Sequence, residues 1–234
     1  MDPRSVQALN ELNRQFYTRT APEFDQTRQR AWQGWLQLIP YLKAPLSVLD
    51  LGCGNGRFGV FLAETLPGHV TYHGIDNNPA LLAAAQASFA SLPNLTATLT
   101  EQDLIEMLPE YASVDLVVVF GVIHHVPGAE NRKKFLKALA DYVAPGGMLC
   151  FASWRFYEYE RFRDRFAKWP ETITREEHDY LLDWRRGEHA LRYCHYVDDR
   201  EQAELIAVSG LEEMTTFRAD GSDNRMNCYS LLCR

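Results

Sequence analysis

The residues of this chain whose types and spacing could do chemistry are a glycine run, one acid a fixed distance beyond it, and a pair of adjacent histidines. Residues 48–58 read Val-Leu-Asp-Leu-Gly-Cys-Gly-Asn-Gly-Arg-Phe. Gly52, Gly54 and Gly56 carry no Cβ, so the backbone can turn sharply there and pass close to a ligand. A buried strand over 48–51, this loop, and a helix over 57–66 together present a helix N-terminus, which suits a small anionic group. Asp76 ends the next apolar run and lies 20 residues beyond Gly56. A carboxylate there, followed by Asn77, can accept hydrogen bonds from both hydroxyls of a ribose. His124 and His125 sit at the exit of the apolar run that ends at Phe120. They are the catalytic candidates, either as a base or as donors to an acceptor. One of them is also expected to hydrogen-bond the loop before Pro127-Gly128. A metal reading finds no third ligand at a usable spacing, so no metal is expected.

The glycine spacing selects among nucleoside cofactors. A dinucleotide fingerprint would need a third glycine at position 57, which is Arg57. Gly-x-Gly-x-Gly after Leu-Asp-Leu, with Asp76 at the end of the next strand, instead resembles motif I of class I S-adenosylmethionine-dependent methyltransferases. The resemblance implies an α/β fold: a doubly wound, mostly parallel seven-stranded sheet of the Rossmann-like methyltransferase type. It implies S-adenosyl-L-methionine as cofactor, with Gly52, Gly54, Asn55 and Gly56 facing the methionine half. Asp50 would then either attract the cofactor's ammonium group or tie the loop together as a buried acid. Asp103 and Leu104 match the positions that hold the adenine, although Asp103 would serve equally as a helix N-cap. Phe120 closes the set.

A closer resemblance rests on three segments. They are Tyr17-Thr18-Arg19-Thr20-Ala21-Pro22-Glu23-Phe24-Asp25-Gln26-Thr27-Arg28 with Trp32; Gly52 to Phe58; and Val122-Ile123-His124-His125 together with Arg192-Tyr193-Cys194-His195. These are similar to the tRNA wobble-uridine carboxymethyl methyltransferases. The likeness implies that Tyr17 and Arg28 lie near the methionine end of the cofactor. Tyr17, Phe24 and Trp32 would also serve as an apolar stripe that docks the first helix. The acceptor implied is a carboxymethyluridine in the tRNA anticodon loop, and relatives of this kind act with a small zinc-binding partner protein. Candidate acceptor-binding residues are Trp154, Arg155, Arg192, Tyr193 and His195. A carboxylate acceptor is already ionised at neutral pH and needs no general base, only cations or donors to hold it in line. A phenol or amine acceptor would need a proton removed, with histidine as the base.

The elements that must position these residues follow from patterning. The 234 residues are read as a single domain over 1–234, with a helical lid region over 1–47. Asn78 and Pro79 open a helix over 79–90, and 95–100 alternates as a half-exposed strand. The run 114–120 reads as a central strand buried on both faces. Phe135, Leu136, Leu139, Tyr142 and Val143 fall at helical spacing. Pro145-Gly146-Gly147 reads as a turn before a strand over 148–154, and Val197 to Glu201 as a capping box opening a helix to about 208. Two last strands are expected over 211–217 and 226–233.

About 43 residues separate Trp154 from Asp198, well beyond an ordinary connection. Residues 155–196 therefore read as a helical insertion after the fifth strand that covers the substrate. It holds Arg155, Tyr157, Arg161, Arg163, Arg165, Trp169, Trp184, Arg185, Arg186 and Arg192. Arginines interleaved with aromatics can grip phosphates and stack on unpaired bases, yet 155–192 holds as many acids as bases and would serve equally as a salt-bridged cover.

Net charge is −7, which excludes the strongly basic balance of a self-sufficient nucleic-acid binder. Five scattered cysteines give neither a Cys-x-x-Cys pair nor a disulfide framework. With no signal-like segment and no long apolar run, the expected compartment is the cytoplasm and no membrane is involved. Two other readings stand beside the tRNA enzyme: a small-molecule O-, N- or carboxyl methyltransferase, and a protein that binds the cofactor without turnover.

Overall fold

The apolar run Val114–Phe120 (β4) lies at the centre of a seven-stranded sheet, with only Asp115 exposed along it. The structure is a computed structural model and describes residues 1–27, 30–184 and 189–234. The other strands of the sheet are Leu46–Leu51 (β1), Val70–Asp76 (β2), Leu95–Glu101 (β3), Val143–Trp154 (β5), and two late strands. Two further strands, Asp179–Trp184 (β6) and Ala190–His195 (β7), form a separate hairpin, so the late strands are Glu212–Ala219 (β8) and Asn227–Cys233 (β9). The sheet order is β3-β2-β1-β4-β5-β9-β8. The first five strands run parallel, and β9 enters antiparallel between β5 and β8. The order reverses between β1 and β4, and a cleft opens at the carboxyl ends of strands at such a point.

Alternation along the strands splits the core in two. Val48, Leu116 and Val118 face Phe58 and Leu62 of helix Arg57–Thr65 (α2), and Leu82 and Phe89 of helix Pro79–Phe89 (α3). Leu49, Leu51, Val117 and Val119 face Leu136 and Leu139 of helix Ala129–Ala140 (α4), and Leu205 of helix Asp199–Ser209 (α6). Asn78 caps α3 by accepting from the N–H groups of Ala80 and Leu81. Asp198 caps α6 through the N–H of Glu201 at 2.7 Å. Pro145-Gly146-Gly147 is a bulge inside β5 rather than a turn before it: Val114 pairs with Val143 and Leu116 with Met148, so the strand loops out between them.

Gly56 has φ +73°, and a Cβ there would lie 2.5 Å from Phe89 and 2.7 Å from Ala85. Its role is to let α2 pack closely on α3. Gly56→Ala is expected to cost about 2–5 kcal/mol, summing left-handed backbone strain and overpacking. Thermal unfolding checks this, with a midpoint lower by about 2–4 °C per kcal/mol.

The N-terminal region is helical, as expected: Pro3–Gln26 (α1), then a 3-10 helix over Gln33–Tyr41. The insertion after β5 departs from the expected helix. It contains a 3-10 turn over Phe156–Glu158, a single helical turn over Glu160–Arg163 (α5), and then the β6–β7 hairpin. Tertiary packing explains the difference. Paired as strands, Leu181 and Tyr193 bury against Leu9 of α1, while Trp184 and Ala190 bury against Phe16. Leu9 and Phe16 are the buried docking residues of α1, with Tyr17 packed beside Phe16 and Trp32, beyond the helix, packed on the main core; the side chain of Phe24 lies outside the described set. Among the described residues, no helix is long and apolar enough to cross a membrane.

Candidate active site

A cavity of about 720 Å³ follows the carboxyl ends of β3, β2, β1, β4 and β5, roofed by α1 and the hairpin. Its floor starts at the glycine loop. The N–H groups of Gly52 and Cys53 donate to the carbonyl of Ile75 at 2.7 and 3.0 Å, which sews the loop onto β2. Asp76 then closes the turn: one oxygen accepts from Gly54 N and the other from Asn78 N, each at 2.9 Å. Every carboxylate oxygen can accept more than one bond, so Asp76 can still take two hydroxyls from the cavity side. Burial pushes its carboxyl upward, against the backbone donors that pull it down.

Asp50 is buried at the end of β1 and accepts from the Tyr72 hydroxyl at 2.5 Å. Desolvation, partly offset by that bond, pushes it up to about 7. Arg57 lies across the cavity floor. Its guanidinium stacks 4.8 Å from the Trp32 ring and 5.5 Å from Trp35, and burial brings it down to about 10. At the other end Asp103 accepts from Asn10 Nδ2 and from the N–H of Ile105, tying α1 to the loop after β3. Asn55 Nδ2 donates to Asp25, a second tie from α1.

Of the expected cofactor residues, Tyr17, Asp50, Gly52, Gly54, Asn55, Asp76, Asn77, Asp103, Leu104 and Phe120 line this cavity. Gly56 does not line it, because its backbone serves the α2–α3 contact. Arg28 lies outside the described residues, as do Arg185 and Arg186.

The histidines occupy the β4 end. His125 is fixed on both sides: Nδ1 is 2.8 Å from the Tyr193 carbonyl and Nε2 is 2.9 Å from the Tyr17 hydroxyl. A carbonyl can only accept, so Nδ1 carries the proton and Nε2 accepts from Tyr17. Burial brings His125 down to about 3, with the Arg192 charge adding to it. His124 lines the cavity, and its Nδ1 is buried without a hydrogen-bond partner among the described residues. Burial and the neighbouring positive groups hold it far below the usual histidine range. Both rings are therefore neutral and weakly basic.

The ligand atoms of Cys194 and of the two histidines lie within 4.8 Å of one another, a proximity that sequence spacing did not reveal. The donor set does not fit a metal ion. His125 uses both nitrogens in hydrogen bonds, and the Arg192 charge stands beside the cluster.

The acceptor candidates divide. Trp154 and Arg192 line the cavity; Arg155, Tyr193 and His195 do not. Arg155 turns inward, donating to the Val197 carbonyl at 2.7 Å and pairing with Asp199 at 2.8 Å. Tyr193 gives its hydroxyl to Asp179, and His195 lies between Asp179 and Glu201. These three are corrected from ligand contacts to internal ties: Tyr193 and His195 lie on the face of β7 opposite Arg192, because alternate residues of a strand face opposite ways, and Arg155, just past β5, is drawn to the start of α6. Arg192 is the exception that matters. It is 92% buried, with its guanidinium 4.6 Å from the Trp154 ring and 5.3 Å from the Phe16 ring. No carboxylate pairs with it among the described residues. Sequence reasoning missed Arg57, Asp220, Met226 and Asn227 as lining residues. Arg57 had a signal, a cation inside the glycine motif; Asp220 and Met226 come from the β8–β9 turn and Asn227 from the start of β9, where no motif marks them.

Residues 49–149 match the family model described as a methyltransferase domain. A putative methyltransferase of Encephalitozoon cuniculi is 28% identical over 84% of this chain and 85% of its own. The mouse probable tRNA methyltransferase 9B is 27% identical over 80% of this chain but 36% of its own length. The mouse tRNA (carboxymethyluridine(34)-5-O)-methyltransferase is 25% identical over 71% of this chain and 23% of its own. The chain thus spans about a third or less of these two relatives. A solved S-adenosylmethionine-dependent methyltransferase from Methanosarcina mazei superposes with a TM-score of 0.67 at 19% identity, covering 85% of this chain and 96% of that one. At that identity the likeness shows the fold.

Proposed function

We propose that this S-adenosylmethionine-dependent methyltransferase methylates an oxygen, the carboxylate of a modified wobble uridine in tRNA; the methyltransferase-domain match and the tRNA-methylating relatives support the reading. The observation that carries the oxygen reading is Arg192, a buried guanidinium lining the acceptor end of the cavity with no carboxylate partner among the described residues. A buried cation is costly unless an anion meets it. An ionised acceptor carboxylate supplies that anion.

The bound cofactor supplies an electrophilic methyl group on a sulfonium. The protein's own work is positioning. Asp76 holds the ribose, Asp103 and Leu104 border the adenine, and the N-terminus of α2 with the glycine loop takes the methionine end. The ends of β4 and β5 then hold the acceptor. Arg192 grips one carboxylate oxygen, and neutral His124 donates to the other or to the base. In-line displacement by a carboxylate needs orientation rather than a base. The weak basicity of both histidines fits that requirement and weighs against phenol or amine acceptors. Residues 1–47 and 155–196 act as a lid in this reading, with the part-buried tie Asn55–Asp25 and the exposed tie Arg14–Glu106 as the contacts that part on opening.

The tRNA identity rests on the relatives. Net charge −7 and a roofed cavity favour a small carboxylate as the second reading. The deciding experiment incubates the protein with labelled cofactor and total tRNA, with and without cell extract to supply a partner protein, followed by nucleoside mass analysis. A methyl-esterified uridine supports the proposal; no such nucleoside in either condition overturns it.

Asp50 gives a pH prediction. Its raised value means that it is neutral below about pH 7 and ionised above. A ligand ammonium favours the ionised form, so binding below pH 7 expels a proton, and affinity rises with pH before levelling off. The gain is at most about tenfold per unit. Calorimetry at pH 6.5 in two buffers of different ionisation heat reads the released proton; identical heats would exclude Asp50 from the ammonium site.

A further inference from the structure

We infer that His195 is a positioning residue: it closes a buried polar ring that holds Arg192 and His125 in place at the acceptor end of the cavity. This inference rests on the acceptor site proposed above.

The ring can be followed atom by atom. His195 Nδ1 is 2.8 Å from Asp179 Oδ1, and Nε2 is 2.6 Å from Glu201 Oε2. Glu201 Oε1 accepts from Arg132 Nε at 2.7 Å. Arg132 Nη1 donates to the carbonyl of Val126, the residue after His125, at 3.1 Å. On the other branch Asp179 Oδ1 accepts from the Tyr193 hydroxyl at 2.7 Å, and the Tyr193 carbonyl receives His125 Nδ1. The chain of bonds starts beside His125 and returns to it, crossing α4, α6, β7 and β6. Glu201 lies in the first turn of α6, and its carboxylate turns to His195 and Arg132.

Charge fixes the state of the ring. Ionised carboxylates only accept, so each nitrogen facing one must donate, and His195 fits both only as imidazolium. Arg132 and His195 then face Asp179 and Glu201, with Glu176 3.9 Å from Arg132 and paired with the Met1 ammonium; Arg132, His195 and Asp179 are each less than one-tenth exposed. His178 is the other titratable ring nearby, with centroids 6.4 Å apart. A neutral His195 would set a lone pair against a carboxylate and leave the buried network one charge short. Such a network is sensitive to loss of any one member.

The link to the cavity runs through β7. Tyr193 and His195 share one face of the hairpin with Leu181 and Asp179, while Arg192 lies opposite Leu182 on the cavity face. Clamping one face sets the twist and height of the other. His195 touches neither cofactor nor acceptor.

The test is His195→Gln in the full chain, read by long-range proton–nitrogen spectra of the imidazoles and by steady-state kinetics. In the unaltered protein His125 shows a single Nδ1–H tautomer and His195 shows two protonated nitrogens. The variant is expected to average the His125 tautomers and to lower acceptor kcat by about 10- to 100-fold, the scale of a misplacement of about 1 Å, with cofactor affinity unchanged. An unaltered His125 pattern overturns the inference. So does a parallel loss of cofactor affinity, which would mark general damage. Should His195→Gln fail to fold, Glu201→Gln is measured in the same way with the same two criteria. If the unaltered protein transfers no methyl to tRNA, the acceptor reading fails, while the His125 spectra still decide the ring.

Discussion

Arg192→Gln is expected to reduce kcat/KM for the acceptor by about 30-fold to several thousand-fold, the equivalent of about 2–5 kcal/mol for removing one member of a buried charge pair. Affinity for S-adenosylmethionine should stay within about twofold, because Arg192 stands at the β5 end of the cavity and the expected ribose and adenine residues stand at the β2 and β3 ends. Parallel strands lie about 4.8 Å apart, so the two regions are separated by several strand widths. Arg192→Lys should recover only part of the loss. A lysine ammonium is a point charge that cannot form two parallel bonds or stack between Trp154 and Phe16 as a planar guanidinium does. Steady-state kinetics with calorimetry of the cofactor checks both halves. A variant with normal kcat/KM would remove Arg192 from the acceptor site.

The second large effect is expected at Asp76. Asp76→Ala removes the two backbone bonds that close the glycine loop, to Gly54 N and Asn78 N, together with both expected ribose contacts. Hydrogen bonds to charged groups contribute about 1.5–3 kcal/mol each, so two lost ligand bonds weaken cofactor binding by at least about 100-fold. Asp76→Asn keeps one acceptor oxygen but turns an NH₂ toward a backbone N–H, so it too loosens the loop, and a smaller loss of affinity is expected. Calorimetric titration decides; unchanged affinity in Asp76→Ala would contradict the assignment.

How much of this was legible follows from the physics of each feature. The parallel sheet was written locally: Val114 to Phe120 could be buried on both faces only as a central strand, and Asn78-Pro79 could begin only one helix. The cofactor end was legible for the same reason, since Gly52 to Asp76 is one continuous strand–loop–helix–strand unit. The acceptor end was not. Whether Arg192 or His195 faces the cavity depends on the parity of β7, which the pairing of Leu182 with Arg192 fixes and no local pattern does. Residues 156–163 look helical and do form short helical turns, but Asp179–Trp184 and Ala190–His195 pair as strands because that buries Tyr193 and Trp184 on α1. Asp220 reaches the site because β9 inserts beside β5, which brings the β8–β9 turn under the 3-10 helix, where its carboxylate accepts from Gly34 N at 2.9 Å.

The pairing of two weakly basic histidines with an arginine that no carboxylate among the described residues neutralises ties the proposal to the chemistry of the bond formed. A methyl group placed on a carboxylate is an ester; one placed on a ring nitrogen, ring carbon or amine is not. The most direct test is therefore the base lability of the transferred methyl. Acceptor RNA labelled by this protein from methyl-labelled S-adenosylmethionine is held in mild alkali, and the volatile label is collected. Release of nearly all the label as methanol is the result expected. Label that stays on the nucleoside through that treatment would contradict the carboxylate acceptor, and with it the role given to Arg192.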